Sequence, residues 1–245
     1  MIYIVLPAYN EELTLPPLLS AITENMEESG LPFKVVIVND GSTDGTAGII
    51  RSVSGKLPLI PVDHDRNRGL AEALKTGLLE AVRQATARDI IVTMDSDNTH
   101  TPGLIMRMVR MIREGHDVVI ASRYRNGARV IGVPWSRRVL SFGASFVFRI
   151  LFPIPGVKDY TSGYRAYRAE VIKEMFDSYG DSFIDEPGFS CMVDVLLKLR
   201  KFPIIIGEVP LILRYDKKEG ASKMNVMKTI GQTVRLMIRR RFALP

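Results

Sequence analysis

Short apolar, β-branched runs alternate with segments of helical period through the first half of this 245-residue chain, and that alternation limits the fold more than any other feature. Ile2–Leu6 reads as a buried strand. Glu12–Met26 has helical character, with Pro16 and Pro17 in its first turn, where proline is tolerated. Val35–Val38 is a second strand, and Asp44 is placed to cap a short helix after it. Leu59–Val62 is a third, weaker strand. Leu70, Ala73, Leu74, Gly77, Leu78, Ala81 and Val82 then recur at helical spacing and mark a core-facing helix. Ile90–Met94, a helix over Pro102–Arg113 and a strand over Asp117–Ala121 continue the pattern. The expected fold class is therefore α/β, a mainly parallel sheet flanked by helices.

In a parallel sheet the carboxyl ends of the strands lie along one edge, which is where open α/β sheets bind ligands. Polar turn residues collect at those ends here: Pro7-Ala8-Tyr9-Asn10-Glu11, Asn39-Asp40-Gly41-Ser42-Thr43-Asp44-Gly45, Asn67-Arg68-Gly69 and Asp95-Ser96-Asp97. Tyr9 offers a ring on which a base can stack. Asp40 and Glu11 offer acceptors for base or ribose donors, and Gly69 lets backbone approach a ligand closely. In an extended chain Asp95 and Asp97 point the same way, and two like charges side by side repel unless a cation sits near them. One reading is a divalent-metal site gripping a nucleotide diphosphate. The other is a polar turn capping a buried strand, which is the commoner use of such a triplet.

The net charge of +6 is unevenly placed. Lys223, Lys228, Arg235, Arg239, Arg240 and Arg241 occur with no acid between Ala221 and Pro245. Arg123, Arg125, Arg129, Arg137, Arg138 and Arg149 occur with no acid between Val118 and Val157. Such blocks fit phosphate-bearing partners or an anionic membrane, and nucleic acid is disfavoured because the interleaved aromatics of single-strand readers are missing. Trp135–Phe152 is aromatic-rich, and its charge-free part, Val139–Phe148, is shorter than the roughly 18 residues that span a bilayer. Its length suits an interfacial helix carrying Trp135, Phe142, Phe146 and Phe148, or equally a core helix. Met224–Arg239 is amphipathic, with Val226, Ile230 and Met237 on one face. Arg168–Phe176 and Cys191–Arg200 look helical, and Ile204–Val209 and Leu211–Leu213 look like strands interrupted by Pro210. The single cysteine, Cys191, excludes an internal disulfide, and no signal peptide is expected at Met1-Ile2-Tyr3-Ile4.

There is no P-loop, no Gly-x-Gly-x-x-Gly and no Gly-x-Ser-x-Gly, and His64, His100 and His116 lack zinc-ligand spacing. What is present resembles a known family. Leu6-Pro7-Ala8-Tyr9-Asn10-Glu11, Val38-Asn39-Asp40-Gly41-Ser42-Thr43-Asp44-Gly45-Thr46 and Asp95-Ser96-Asp97 resemble the motifs of family 2 glycosyltransferases of the GT-A fold. Ala121-Ser122-Arg123-Tyr124, Asp159-Tyr160-Thr161-Ser162-Gly163-Tyr164-Arg165-Ala166-Tyr167, Gly207-Glu208-Val209-Pro210 and Gly220-Ala221-Ser222-Lys223 resemble the dolichol-phosphate mannose synthase group and its polyprenyl-phosphate relatives.

The resemblance implies that Pro7, Tyr9, Glu11 and Asp40 bind the nucleoside of a sugar nucleotide. It implies Asp97 as a direct ligand of Mg or Mn, with Asp95 holding ribose or a metal-bound water. The group often has Gln where this chain has Thr99, so that ligand is lost or replaced by water. The resemblance further implies that Arg123 contacts the acceptor phosphate, helped by Arg137 or Arg138, and that Lys217, at a position that is usually Arg, clamps the diphosphate together with Ser222 and Lys223. The implied organisation is a GT-A domain over residues 1–222, including an interfacial segment at 133–156, and a basic amphipathic helix at 223–245.

The implied activity is inverting transfer of a hexose from GDP-mannose or UDP-glucose to a polyprenyl phosphate at the cytoplasmic face of a membrane. The protein would be peripheral there, or held by a membrane-anchoring subunit. Transfer to a saccharide hydroxyl, with Asp185 or Glu186 as base, is the rival activity. A non-catalytic adaptor at the membrane surface is a third reading, disfavoured by the intact Asp95, Asp97 and Arg123.

Overall fold

The computed structural model describes residues 1–217, 231, 232, 235–237 and 239. Ser222, Lys223 and most of the expected C-terminal helix fall outside the described residues, as do the side chains of Arg137 and Lys217. The first half follows the expected alternation: β1 (Ile2–Ala8), α1 (Leu15–Ser29), β2 (Phe33–Asn39), α2 (Thr46–Val53), β3 (Leu59–Asp63), α3 (Leu70–Gln84), β4 (Ile90–Thr93), α4 (Ile105–Arg113) and β5 (Val118–Ser122). A 3-10 turn over Pro102–Leu104 leads into α4. The second half adds β6 (Arg129–Ile131), α5 (Trp135–Leu151), β7 (Arg165–Arg168), α6 (Ala169–Tyr179), α7 (Ser190–Leu199), β8 (Ile206–Pro210) and β9 (Ile212–Arg214).

Seven strands form one sheet in the order β3-β2-β1-β4-β7-β5-β8. All neighbouring pairs are parallel except those made by β7, which runs antiparallel to both β4 and β5. Sequence reading missed β7, because Arg165-Ala166-Tyr167-Arg168 lacks the apolar run of the other strands. Arg165 is nevertheless fully buried, opposite Thr93 and Ile120 in the sheet, and donates from Nη2 to the Tyr160 carbonyl at 3.0 Å. The short parallel pair β6–β9 lies outside this sheet.

Strand side chains alternate between two cores, as a period of two requires. Ile2, Ile4, Leu6, Val35, Ile37, Val92 and Val119 pack with α1 and α4 on one face. Tyr3, Val5, Val36, Ile91, Val118 and Ile120 pack with α3, α6 and α7 on the other. Gly77 lets α3 lie close on the sheet, since a Cβ there would lie 2.5 Å from Val5 Cγ1. Leu236, from the C-terminal stretch, is buried in this second core.

Helix α5 divides along its length. Trp135, Phe142 and Phe146 are 77%, 56% and 52% exposed, together with Val139, Leu140, Val147 and Ile150. Phe148 departs from expectation: it is buried, packed against Tyr160 with ring centres 5.6 Å apart, and anchors the helix to the core. Among the described residues no helix is long and apolar enough to cross a membrane.

Candidate active site

The loops after β1 and β2 are locked together. Asn10, held at φ 53°, accepts the Thr43 N–H on Oδ1 at 2.8 Å, and its own N–H donates to Ser42 Oγ at 3.0 Å. Glu11 N–H donates to Thr46 Oγ1 at 2.8 Å, and Glu12 Oε2 accepts the Gly45 N–H at 2.7 Å. Asp44 accepts the Thr46 N–H at 2.9 Å from one residue ahead of the expected capping position, which Gly45 occupies without a side-chain cap. The Glu11 carboxylate accepts the Thr14 hydroxyl at 2.6 Å, and Tyr9, the first residue of the loop after β1, is half-buried.

Asp40 is nearly inaccessible, and its carboxylate organises the turn before α3. Oδ1 meets His64 Nδ1 at 2.7 Å and the Arg68 N–H at 2.9 Å, while Oδ2 accepts the Gly69 N–H at 2.8 Å. Three of its about four acceptor positions are thus used by the protein. The turn also presses on Gly41, where a Cβ would meet the Arg66 carbonyl carbon at 2.3 Å; with φ at +63°, only glycine is unstrained there. His64, which the sequence pattern did not single out, braces this corner by reaching Thr76 Oγ1 from Nε2 at 3.0 Å.

The acidic turn follows β4. Ser96 donates to the Pro7 carbonyl at 2.8 Å and ties this turn to the end of β1. Asp97 Oδ1 accepts the Thr99 hydroxyl at 2.6 Å and the Thr99 N–H at 3.2 Å, so the residue found in place of Gln orients Asp97. His100 was also missed. Its Nδ1 accepts the Asp95 N–H at 3.1 Å, which leaves the ring proton on Nε2, 3.7 Å from Asp95 Oδ2, and the ring stacks on Tyr164. Among the described residues no group of three or more His, Cys, Asp or Glu is arranged to hold a metal. Two carboxylates with hard oxygens still fit Mg or Mn, which commonly take one or two carboxylates and complete their shell with water and substrate phosphate.

Arg123 projects from the end of β5. Its Nε and Nη2 donate to Asp159 Oδ2 and Oδ1 at 2.8 and 2.7 Å, and Nη2 also donates to Thr161 Oγ1 at 2.5 Å. Nη1 has no hydrogen-bond partner among the described residues. Burial works against the Arg123 charge, but the charge and hydrogen bonds of Asp159, with smaller contributions from Tyr124 and Asp95, raise its pKa. Asp159 also accepts the N–H groups of Arg123, Thr161 and Ser162. Burial pushes its carboxyl up, yet Arg123 and these N–H groups outweigh that and hold it below the ordinary value. Behind it, Glu208 Oε1 accepts the N–H groups of Lys158 and Asp159 at 2.6 and 2.8 Å. Asp159 and Glu208 lie within the motifs quoted above, but nothing in the sequence pairs them.

Arg138 is exposed on α5. Asp185 and Glu186 are engaged elsewhere, Asp185 accepting from Lys198 Nζ at 2.7 Å and Glu186 from Arg239. Burial opposes ionisation of Asp185, but Lys198 more than offsets it and holds the carboxyl low, which makes Asp185 a weak base.

A mostly parallel sheet with nucleotide-sized loops after β1 and β2 and an acidic turn after β4 is the GT-A architecture. The chain belongs to glycosyl transferase family 2, whose model matches residues 3–176. It is 32% identical over 237 residues to a dolichol-phosphate mannosyltransferase of Pyrococcus furiosus, covering 96% of this chain and 62% of that protein. It is 30% identical over 224 residues to a polyprenol monophosphomannose synthase of Mycolicibacterium smegmatis, covering 91% of this chain and 80% of that one. The fold is shared with glucosyl-3-phosphoglycerate synthase of Mycobacterium tuberculosis, solved with Mn2+, UDP and phosphoglyceric acid: TM-score 0.65, 24% identity, all of this chain and 79% of that one.

Proposed function

We propose that this protein transfers a hexose from a nucleotide-diphosphate sugar to a polyprenyl phosphate at a membrane surface, with inversion at the anomeric carbon. Mannose, supplied as GDP-mannose, is the leading sugar because both relatives are named for it; UDP-glucose is the alternative donor. The observation that carries the reading is Arg123, clamped on one side by Asp159 with Nη1 left over, on the same sheet edge as the acidic turn.

The ionised acceptor phosphate, whose second pKa is about 6, attacks without a general base as the bond from the anomeric carbon to the donor diphosphate breaks. Arg123 Nη1, with Arg137 or Arg138, compensates the acceptor's charge as it nears an anionic donor. Pro7, Tyr9, Glu11, Asp40 and the Gly69 turn hold the nucleoside, and Lys217, Ser222 and Lys223 close over the diphosphate. Asp97 and Asp95 would hold Mg or Mn, which supplies charge neutralisation of the leaving diphosphate. The exposed aromatics of α5, within an interfacial segment at 133–156 of a 1–222 domain, rest in the headgroup zone, and the basic 223–245 stretch adds a second contact. The protein is then peripheral on the cytoplasmic face, with or without a membrane-anchoring partner.

The test is a transfer assay with labelled donors, short-chain polyprenyl phosphate and Mn, with the anomeric configuration of the product read by NMR. The expected result is inverted glycosyl phosphate, abolished by chelator. Full-rate transfer in excess chelator, or transfer to a saccharide hydroxyl with no need for the lipid, overturns the reading.

A further inference from the structure

Two cavities that share Arg125 and Lys158 are lined by neither Arg123 nor Asp159. One, of about 230 Å³, is lined by Arg107, Arg125, Asn126, Lys158, Glu208 and Pro210. The other, of about 340 Å³, shares Arg125 and Lys158 with the first and adds Arg149 and Tyr160. None of Arg107, Arg125, Arg149 and Lys158 makes an ion pair among the described residues. Four cations around these joined concavities, against the one carboxylate of Glu208, repel one another and concentrate a field that an anion relieves. The floor is closed: Glu208 is buried, its Oε1 accepts two backbone N–H groups, and the Ser122 hydroxyl lies against its carboxylate. The occupant must therefore bring an anion for the cations.

We propose that this basic cavity is a binding site for the headgroup of an anionic phospholipid, its phosphodiester on Arg125 and Lys158. The bilayer is favoured over a soluble phosphate because Arg149 belongs to α5, and Ile150 and Phe146 beside it in sequence are among the most exposed apolar side chains of the molecule. The site is distinct from the transfer centre, since neither Arg123 nor Asp95 nor Asp97 lines it. It is connected to that centre, because Glu208 holds the backbone of Lys158 and Asp159, and Asp159 holds Arg123. The proposal rests on the membrane-surface reading above.

The experiment compares wild type, Arg125→Ala/Lys158→Ala, and a charge-matched control, Arg51→Ala/Arg88→Ala, whose side chains are exposed elsewhere. Co-sedimentation is measured with phosphatidylglycerol vesicles and with phosphatidylcholine vesicles. Two basic residues near an anionic surface are each worth about 1 kcal/mol, so a general charge effect weakens a double variant by up to about thirtyfold. A built site weakens the Arg125/Lys158 variant at least about tenfold more than the control, on phosphatidylglycerol only. Arg125→Lys is decisive from another direction: it keeps the charge, so general attraction predicts unchanged binding, and a site that grips the phosphodiester through the guanidinium fork predicts weaker binding. Equal losses in the two double variants, or unchanged binding by Arg125→Lys, overturns the proposal. So does competition by millimolar inorganic phosphate equal to that by phosphatidylglycerol, which assigns the cavity to a soluble ion. Transfer to short-chain polyprenyl phosphate without vesicles is expected to be unchanged in Arg125→Ala/Lys158→Ala. If wild type shows no transfer at all, the proposed function fails while the vesicle comparison still reports on the cavity.

Discussion

Arg123 and Asp159 meet side-on through two near-parallel hydrogen bonds of 2.8 and 2.7 Å, with Asp159 fully buried and Arg123 reaching partly into solvent. The carboxylate fixes the plane of the guanidinium, and Nη1 has no hydrogen-bond partner among the described residues. Asp159→Asn removes the charge but little volume. Breaking a buried pair from one side costs about 3–5 kcal/mol, so a fall in thermal midpoint is expected. Kinetics separate positioning from folding: KM for polyprenyl phosphate should rise at least about tenfold while KM for the donor changes little. Equal changes in both constants would assign Asp159 a structural role only.

Thr99 acts on Asp97 through its hydroxyl, at 2.6 Å. Thr99→Val deletes that hydrogen bond and keeps the shape. Loss of an orienting partner to a metal ligand typically costs 10–100-fold in metal affinity. The Mn concentration giving half-maximal transfer should therefore rise by about that factor, with activity recovered at saturating Mn. An unchanged Mn dependence would separate Asp97 from the metal.

The exposed face of α5 carries Phe142 and Phe146 with ring centres 6.5 Å apart. Burying a Phe side chain is worth about 1.5–3 kcal/mol. Phe142→Ser/Phe146→Ser should weaken partitioning into neutral vesicles at least about tenfold and leave the thermal midpoint near wild type. The same change at Phe148, which is buried, should unfold the protein instead.

Burial raises the Glu208 carboxyl above its ordinary 4.5, against the lowering effect of the Lys158 and Asp159 N–H groups. A carboxyl whose folded pKa is raised binds its proton more tightly in the native state. Its contribution to stability is therefore present below the unfolded value and lost as pH rises through the folded one. Glu208→Gln removes this titration and keeps an amide oxygen for both N–H groups. The difference in stability, variant minus wild type, should grow from pH 4 to pH 7, as read from denaturant midpoints. A difference that is flat or shrinks over this range would show that Glu208 ionises in the fold as easily as in water.

Local periodicity carried most of the scaffold. The spacing of Leu70, Leu74, Leu78 and Ala81 foretold α3, and the run Ile90–Val92 foretold β4, because a residue's need for burial repeats with the geometry of its own element. The turn residues at strand ends were equally legible, since parallel strands bring their carboxyl ends to one edge whatever their order. Sheet order itself was not legible. It placed β7 antiparallel between β4 and β5, buried Arg165 where a strand pattern calls for an apolar residue, and set Asp159 against Arg123 across 36 residues of chain. The amino-acid sequence by itself determined most of the strands and helices, β6 and β7 excepted, and which chemistry ends the parallel strands of the first half. The tertiary structure alone decided which carboxylate steadies Arg123, that Phe148 faces inward while Phe146 faces out, and that Glu208 floors a basic cavity. Long-range pairing depends on how whole elements pack, and no local period encodes that.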